Sequence, residues 1–391
     1  MRSGVAMRKS FFTMFFLAGA IYLLLVSGGV FPYAQDDQVK SAIKGAMLFV
    51  AGFYLSSFGI GRSAFRPVGA FLFIGLTIGC VALGRSEHLG FSLEKIDGAI
   101  VCSAVIALLL DRAYSRFGER AFHEAFIAWA FCLLLLTLGY KAQFGLFDRD
   151  VRYFLNGPIV YGWLMGVCGV ISFHLWSETR RRIFLIAFVL FFIALIWTES
   201  KGSVFGFAVG MAFYLLMNFK KSLVLSLGTV GCFLIFNFFF ADQILELLDG
   251  TRFSAIGRIY SGELSEADDG SVGTRVVLVE KAFQDFKENP LSGIGLGQFS
   301  LGEYRYPHNQ HLEIFAEMGV FVGLLHVFFV LFSFWRATLL NRAIILIFAV
   351  GASFSGDISY LRFLYSFCLI GIVSGGSGLR NWKSAEFSNS R

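Results

Sequence analysis

FFTMFFLAGAIYLLLVSGGVF, residues 11–31, contains no charged side chain. A helix rises about 1.5 Å per residue, so an apolar run of this length matches the roughly 30 Å hydrocarbon core of a bilayer. Arg2, Arg8 and Lys9 precede it, as in a signal peptide. The run is nevertheless longer than the roughly 7 to 15 apolar residues of a signal peptide. It therefore predicts a first membrane span.

The composition extends this pattern to the whole chain. Hydrophobic residues make up 56% of the 391 positions and charged residues 15%, and the mean hydropathy is +0.69. Phenylalanine occurs 48 times and proline 5 times, which favours long helices in lipid. A water-soluble fold does not bury so much apolar surface. We therefore expect an all-α fold, a polytopic bundle of transmembrane helices.

Apolar windows predict about twelve spans. They cover 11–31, 42–61, 67–84, 96–110, 123–140, 157–176, 183–198, 203–219, 222–240, 314–335, 343–356 and 363–379. Basic residues such as Arg62, Arg116 and Arg181 cluster in every second connection and near both termini. The positive-inside rule assigns these connections and both termini to the cytoplasm, which checks the span count independently of hydropathy.

The remaining polar sequence is concentrated in one segment on the opposite, periplasmic side. The predicted organisation is a bundle of about nine spans over 1–240, a periplasmic loop over 241–313, about three spans over 314–379 and a cytoplasmic tail over 380–391. The loop is the one part that is large enough for a small extramembrane domain.

Within this loop, Thr274–Glu288 predicts an amphipathic helix headed by Arg275. Apolar residues recur there at helical spacing, at Val276, Val279, Ala282, Phe283 and Phe286. Pro290 and three nearby glycines end the pattern. We expect this helix to lie against the membrane or the bundle.

Charge and cysteine content argue against other functional classes. The net charge of +6 comes from basic clusters between spans, where topology explains them, so no nucleic-acid partner is expected. The six cysteines all fall in apolar runs without metal-ligand spacing. Neither disulfides nor a zinc site is therefore indicated.

Three features of the loop together suggest a substrate site. They are the cation Arg275, the glycine-rich turn Ser292–Gly297, and Pro307 to His311 leading into the tenth span. Taken singly, each has a simpler explanation, since Arg275 can reach lipid phosphates and His308 can sit at a span entry. The occurrence of all three in one loop favours a functional site over these separate structural explanations.

The same segment resembles the O-antigen ligase and O-antigen polymerase superfamily of bacterial inner membranes. The resemblance rests on Gly273-Thr274-Arg275, on Glu288 to Gly297, on His308-Asn309 with Leu312-Glu313, and on Glu317-Met318-Gly319. Weaker similarities are Arg152 with Asn156, Gly157 and Pro158, and Thr198 to Gly202.

The resemblance implies a donor in which a glycan is attached to undecaprenyl diphosphate, and an acceptor that is lipid A core or another glycan. Arg275, Lys201 and Arg152 would bind the diphosphate, and His308, with a reference pKa of about 6.5, would take the acceptor proton. No metal or cofactor is implied, and a single displacement would invert the anomeric carbon. Lys201 stands where the family commonly has arginine, and a lysine binds phosphate as a point charge. The diphosphate role is favoured moderately over the alternative that Lys201 is an interfacial anchor.

Supporting roles are expected for Asn309, Glu313 and Asp357. Asp357 can orient the cations of the site or pair locally with Arg362. His308 and His311, with Glu313 nearby, also allow a metal site, but no third ligand has a clear spacing and none is predicted. The other histidines, His88, His123, His174 and His326, are expected to be interfacial or packing residues.

Several functions remain consistent with these features. A ligase is slightly favoured over a polymerase because the chain is compact and its outward loop is continuous. A protein-glycosylating transferase of the same superfamily would differ only in its acceptor. A transporter would also suit about twelve spans, but its usual signature, paired halves with matching broken helices, is weak here.

Overall fold

The computed structural model describes residues 2–26, 37–146, 157–218 and 270–388. Within these ranges the regular structure is helical, apart from an isolated bridge between Leu301 and Tyr304. The predicted span 222–240 and Arg152 lie outside the described residues. The all-α prediction is confirmed for the described part.

The helices follow in chain order. They are α1 Arg2–Leu25, α2 Asp37–Phe58, α3 Arg62–Leu83, α4 Leu89–Ile96, α5 Ser103–Phe117, α6 Glu119–Phe144, α7 Pro158–Thr179, α8 Arg182–Trp197, α9 Lys201–Asn218, α10 Gly270–Glu288, α11 Gln310–Arg336, α12 Leu339–Ala352 and α13 Leu361–Ser388. A π-helical segment, Asp97–Cys102, joins α4 to α5, and a 3₁₀ turn, Ile358–Tyr360, precedes α13.

The helices match a membrane protein in length and composition. Four are long and apolar enough to cross a bilayer, within Ser63–Leu83, Glu119–Phe144, Pro158–Thr179 and Gln310–Arg336. Shorter apolar helices cover Phe11–Leu25, Ala42–Ser57, Arg182–Trp197, Leu339–Ala352 and Ile358–Ser374. Large apolar side chains such as Phe49 and Phe73 point outward and are about three-quarters exposed, at 76% and 74%. Such surfaces require lipid.

Helix α7 forms the centre of the bundle. It is apolar on every side, as expected of a helix surrounded by others. Its Trp163 is buried and meets Phe348 of α12 and Phe363 of α13 edge to face. Most of α7 is therefore packed against protein and not against lipid.

Small residues bring α9 and α12 into close contact. A Cβ atom at Gly206 would lie 2.7 Å from the carbonyl oxygen of Ile347, and one at Gly210 would lie 2.7 Å from that of Ala343. Such glycines allow the backbones of membrane helices to approach each other. The order of these contacts makes α9 and α12 antiparallel, with the start of α9 beside the end of α12.

The π-helical segment has a similar explanation. A Cβ atom at Gly98 would lie 2.7 Å from the carbonyl oxygen of Ser359, in the 3₁₀ turn before α13. The wider π turn and the missing side chain together make room for this turn. The contact places the end of α4 beside Asp357.

Candidate active site

The entry to α11 holds His308 in an uncommon backbone conformation. His308 has a φ of 56°, in the left-handed region that few residues other than glycine adopt. The next residue, Asn309, caps α11 by accepting a hydrogen bond from the Leu312 amide at 3.0 Å. Asn309 thus has a clear structural role. Backbone strain of this kind is common at functional sites.

Aromatic rings surround His308. The ring centroid of Tyr306 lies 4.5 Å from that of His308, and the ring of Tyr304 lies 6.3 Å away. The Nδ1 atom of His308 is buried and has no hydrogen-bond partner among the described residues. A buried ring nitrogen in this position can interact with a substrate.

The electrostatic environment makes His308 a weaker base than its reference value suggests. Burial, followed by the positive charge of Arg275, lowers the pKa of His308 to about 4, while the carboxylate of Asp357 opposes this shift. The ring is therefore neutral at neutral pH and able to accept a proton. The charges of Arg275 and Asp357 therefore both act on His308.

Arg275 lies on α10, whose start differs from the prediction. The helix begins at Gly270 and not at Thr274, so Arg275 lies in its second turn and does not head it. Gly273 lies inside the helix, which tolerates an isolated glycine at a cost of about 1 kcal/mol. The longer helix still presents Arg275 to His308.

The apolar residues of α10 lie on more than one side of the helix. Leu278 and Ala282 are fully buried against α11, whereas Val276 and Phe283 are 51% and 47% exposed. Phe286 packs edge to face on Phe315. The helix thus packs on the bundle along one face and leaves other apolar residues exposed, and periodicity alone does not separate these two kinds of apolar face.

Tyr306 is a site residue that the sequence prediction missed. Burial and the charge of Asp357 raise the pKa of Tyr306 to about 12, against the opposing charge of Arg275. Its hydroxyl therefore stays protonated and can donate a hydrogen bond. The sequence feature that could have identified Tyr306 is its position two residues before His308.

A buried charge cluster lies behind the site. The Nζ atom of Lys95 lies 2.6 Å from Oε1 of Glu313 and 2.7 Å from Oε1 of Glu317, and all three side chains are fully buried. Glu313 was predicted as a supporting residue, whereas Lys95 and Glu317 were assigned no role. Glu317 belongs to the Glu317-Met318-Gly319 motif, but no sequence pattern linked Lys95 to Glu317.

The glycine-rich turn packs into a kink in α11. Gly319 has a φ of 81°, and there the helix bends. The turn replaces the interrupted helical bonds, because Ile294 N donates to Ala316 O at 2.9 Å and Val320 N donates to Pro290 O at 2.8 Å. A Cβ atom at Gly293 would lie 2.3 Å from the carbonyl carbon of Glu317. Glycine is required at this crossing.

Asp357 faces the site and not Arg362. Its Oδ1 atom accepts a hydrogen bond from the Ser359 amide at 2.7 Å, which fixes the carboxylate at the 3₁₀ turn. Arg362 instead donates to the backbone carbonyls of Leu25 and Ser359. The alternative of a local Asp357–Arg362 pair is therefore wrong.

Lys201 begins α9 at the same end of the bundle as His308. A Cβ atom at Gly202 would lie 2.8 Å from Cβ of Phe354, and the next residue, Ser355, accepts a 2.6 Å hydrogen bond from the Gln310 side chain. The loop after α12 thus links the starts of α9 and α11. The structure brings Arg275, His308 and Asp357 together and places Lys201 on the same side.

His311 belongs to a hydrogen-bonded chain inside the bundle. Its Nε2 atom lies 2.8 Å from the Ala349 carbonyl and its Nδ1 atom 2.7 Å from Nε2 of His326, whose Nδ1 lies 2.7 Å from the Tyr365 hydroxyl. Because a carbonyl only accepts, His311 carries its proton on Nε2. Both ring nitrogens of His311 are thus engaged in hydrogen bonds inside the bundle. His326, which was expected to be an interfacial or packing residue, belongs to the same chain of hydrogen bonds.

An apolar cavity of about 310 Å³ lies between α3, α11 and α13, beside Lys95. Its walls are almost wholly hydrocarbon and include Pro67, Ile74, Met318, Phe329 and Leu361. It extends along α11 from Ile314, next to the charge cluster, towards Phe332.

One comparison with known proteins gives a match to part of the chain. Residues 186–327 match the family model described as O-antigen ligase. No curated protein matches the chain. The matched segment includes Lys201, Arg275 and His308, whereas Lys95 and Asp357 lie outside it.

Proposed function

We propose, from the premise that the chain belongs to the O-antigen ligase superfamily, that it is a glycosyltransferase acting on a lipid-linked glycan. The observation that carries the proposal is the convergence of Arg275, Tyr306 and Asp357 on His308. The site thus contains a cation that can bind a phosphate and a neutral imidazole that can accept a proton.

The proposed reaction is one displacement at the anomeric carbon of the donor. The oxygen of an acceptor hydroxyl forms a bond to this carbon, the bond from the carbon to the diphosphate oxygen breaks, and the hydroxyl proton passes to His308. Arg275 neutralises the charge that develops on the diphosphate. The configuration is inverted, and no metal is needed because the diphosphate is already an activated leaving group.

Other residues would complete the donor site. Lys201, at the same end of the bundle, is proposed as a second diphosphate ligand, and Arg152, outside the described residues, as a third. The apolar cavity beside Lys95 suits the hydrocarbon part of a lipid-linked donor, since its lining carries almost no polar surface. The donor would be a glycan on undecaprenyl diphosphate.

We place the protein in a bacterial inner membrane with both termini in the cytoplasm and the site on the periplasmic side. The basic connections between spans support this orientation. The acceptor is proposed to be lipid A core, which makes the protein an O-antigen ligase. A repeat-unit polymerase of the same superfamily is the alternative, because it uses the same donor and leaving group.

Deletion of the gene tests this function. Loss of a ligase is expected to leave long polymer on undecaprenyl diphosphate and none on lipid A core, as measured by gel analysis of lipopolysaccharide and of the lipid-linked pool. Loss of a polymerase would instead leave core capped by at most one repeat unit. Normal lipopolysaccharide with a normal lipid-linked pool would contradict both functions.

The pH dependence of transfer tests the role of His308. The base must be neutral, so activity is present above its pKa and is lost as the pH falls through it. We expect the acid limb of kcat/KM, which reports the free enzyme, near pH 4, below the reference value of about 6.5. The bound diphosphate offsets the charge of Arg275, so the limb in kcat should lie at higher pH.

Rates measured from pH 3.5 to 8 with the protein in lipid nanodiscs would show both limbs. A kcat/KM profile with its acid limb at the reference value would contradict the assigned environment of His308.

A further inference from the structure

Lys95 joins two parts of the chain that are far apart in sequence. It lies near the end of α4, and its Nζ atom meets Oε1 and Oε2 of Glu317 on α11 at 2.7 and 2.8 Å, across 222 positions of sequence. Its contact with Glu313, at 2.6 Å, is one turn closer to the entry of the same helix. Lys95 therefore fixes α4 against the first two turns of α11.

Glu317 connects Lys95 to the glycine-rich turn and to the residues that follow it. Its Oε2 atom accepts a hydrogen bond from the Gly297 amide at 2.9 Å, and its Oε1 atom accepts one from the Phe299 amide at 3.3 Å. From the α4 side, the Ser92 hydroxyl donates to the Leu296 carbonyl at 2.7 Å. The position of the turn thus depends on where the ammonium holds the Glu317 carboxylate.

The turn leads directly into the segment that carries the catalytic groups. Residues 300–309 join it to α11, and Tyr306 and His308 belong to this connection. The charge cluster holds both ends of the connection, because Glu317 binds Phe299 and Glu313 lies in the first turn of α11, after Asn309. A shift of either carboxylate would move His308.

The charge balance makes Lys95 indispensable to this arrangement. Two carboxyl groups contact one ammonium, and all three side chains are 0% exposed. Removing one partner from a buried ion pair typically costs about 3–5 kcal/mol, because a buried charge is left uncompensated. Without Lys95 the two carboxylates would face each other.

We propose that Lys95 is a positioning residue for glycan transfer, which sets the placement of His308 through Glu313 and Glu317. This role rests on the proposed function. Lys95 touches neither His308 nor Arg275 in any described contact, and it lies outside the segment that matches the family model. Its contacts with Glu313 and Glu317 are the route by which it would act.

The test compares Lys95→Arg with wild type, as the full chain in lipid nanodiscs. The guanidinium keeps the charge but is larger and planar, so it would hold the two carboxylates at a different separation. A displacement of about 1 Å at reacting groups can lower a rate roughly 100-fold. We expect kcat to fall about 10- to 100-fold, with an unchanged KM for the donor. The thermal midpoint checks that the variant is folded at the assay temperature.

Hydrogen exchange of the Gly297 and Phe299 amides provides a second readout, and it should become faster in Lys95→Arg. Lys44→Arg is the matched control, because Lys44 pairs with Asp97 on a neighbouring helix and is expected to change neither kcat nor this exchange. If Lys95→Arg does not fold, Glu317→Gln replaces it, with the same expected loss of kcat at constant KM.

Wild-type kcat in the folded variant, or a lower kcat with unchanged exchange at these two amides, would overturn the positioning role. Absence of transfer by the wild-type protein would instead reject the proposed function. The exchange measurement does not depend on activity, so it separates the two failures.

Discussion

The His308→Asn variant is expected to lose roughly 10²- to 10⁴-fold in kcat, the usual contribution of a general base. Asparagine suits the experiment better than alanine because it tolerates the left-handed backbone at this position, where φ is 56°. The fold should therefore survive while the proton acceptor is lost. The acid limb of the pH profile should disappear with it.

The measurement is the rate of glycan transfer by purified protein in nanodiscs, with the thermal midpoint as a check of folding. His88→Asn is the matched control, because His88 lies at the start of α4 and its side chain does not cap the helix. We expect the control to transfer glycan at the wild-type rate. Full activity in a folded His308→Asn variant would remove His308 from the mechanism.

Arg275→Ala is expected to lower kcat about 10²- to 10³-fold, the typical cost of removing one group that stabilises charge in a transition state. A second effect is specific to this site. The positive charge of Arg275 lowers the pKa of His308, so its removal should move the acid limb of kcat/KM from about pH 4 to higher pH. The imidazole would still be neutral at pH 7.5, so the loss of rate there would not come from its protonation.

Two further variants separate charge from geometry. Arg275→Lys keeps the charge and should leave the acid limb in place, but a compact ammonium replaces the planar fork and kcat should be intermediate. Arg305→Ala, in the same loop, removes an exposed arginine and should change neither quantity. An unchanged acid limb in Arg275→Ala would contradict the electrostatic effect of Arg275 on His308.

Local patterns predicted much of the architecture. Apolar runs predicted a helix at each of the eleven proposed spans that overlap the described residues. The motifs selected Arg275 and His308, whose charges influence each other in the structure, and their catalytic roles stay a prediction. These predictions needed only hydropathy or short motifs. Their success reflects the strong constraint that lipid places on the backbone.

Hydropathy and short motifs did not predict the contacts between residues far apart in sequence. Lys95 and Glu317 are 222 positions apart, and a lysine near the end of an apolar stretch suggests an interfacial anchor. The environment of His308 was missed for a related reason, since its lowered pKa depends on burial and on Arg275 from another helix. Residue type alone gives only the reference pKa.

The glycine contacts between α9 and α12 also constrain how the chain is assembled during synthesis. About 120 residues separate Asn218 at the end of α9 from Leu339 at the start of α12. At roughly 5–20 residues per second, a ribosome needs on the order of 10 s to make them. The side of α9 that carries Gly206 and Gly210 is therefore made about this long before α12. During that time, lipids or the insertion machinery contact it.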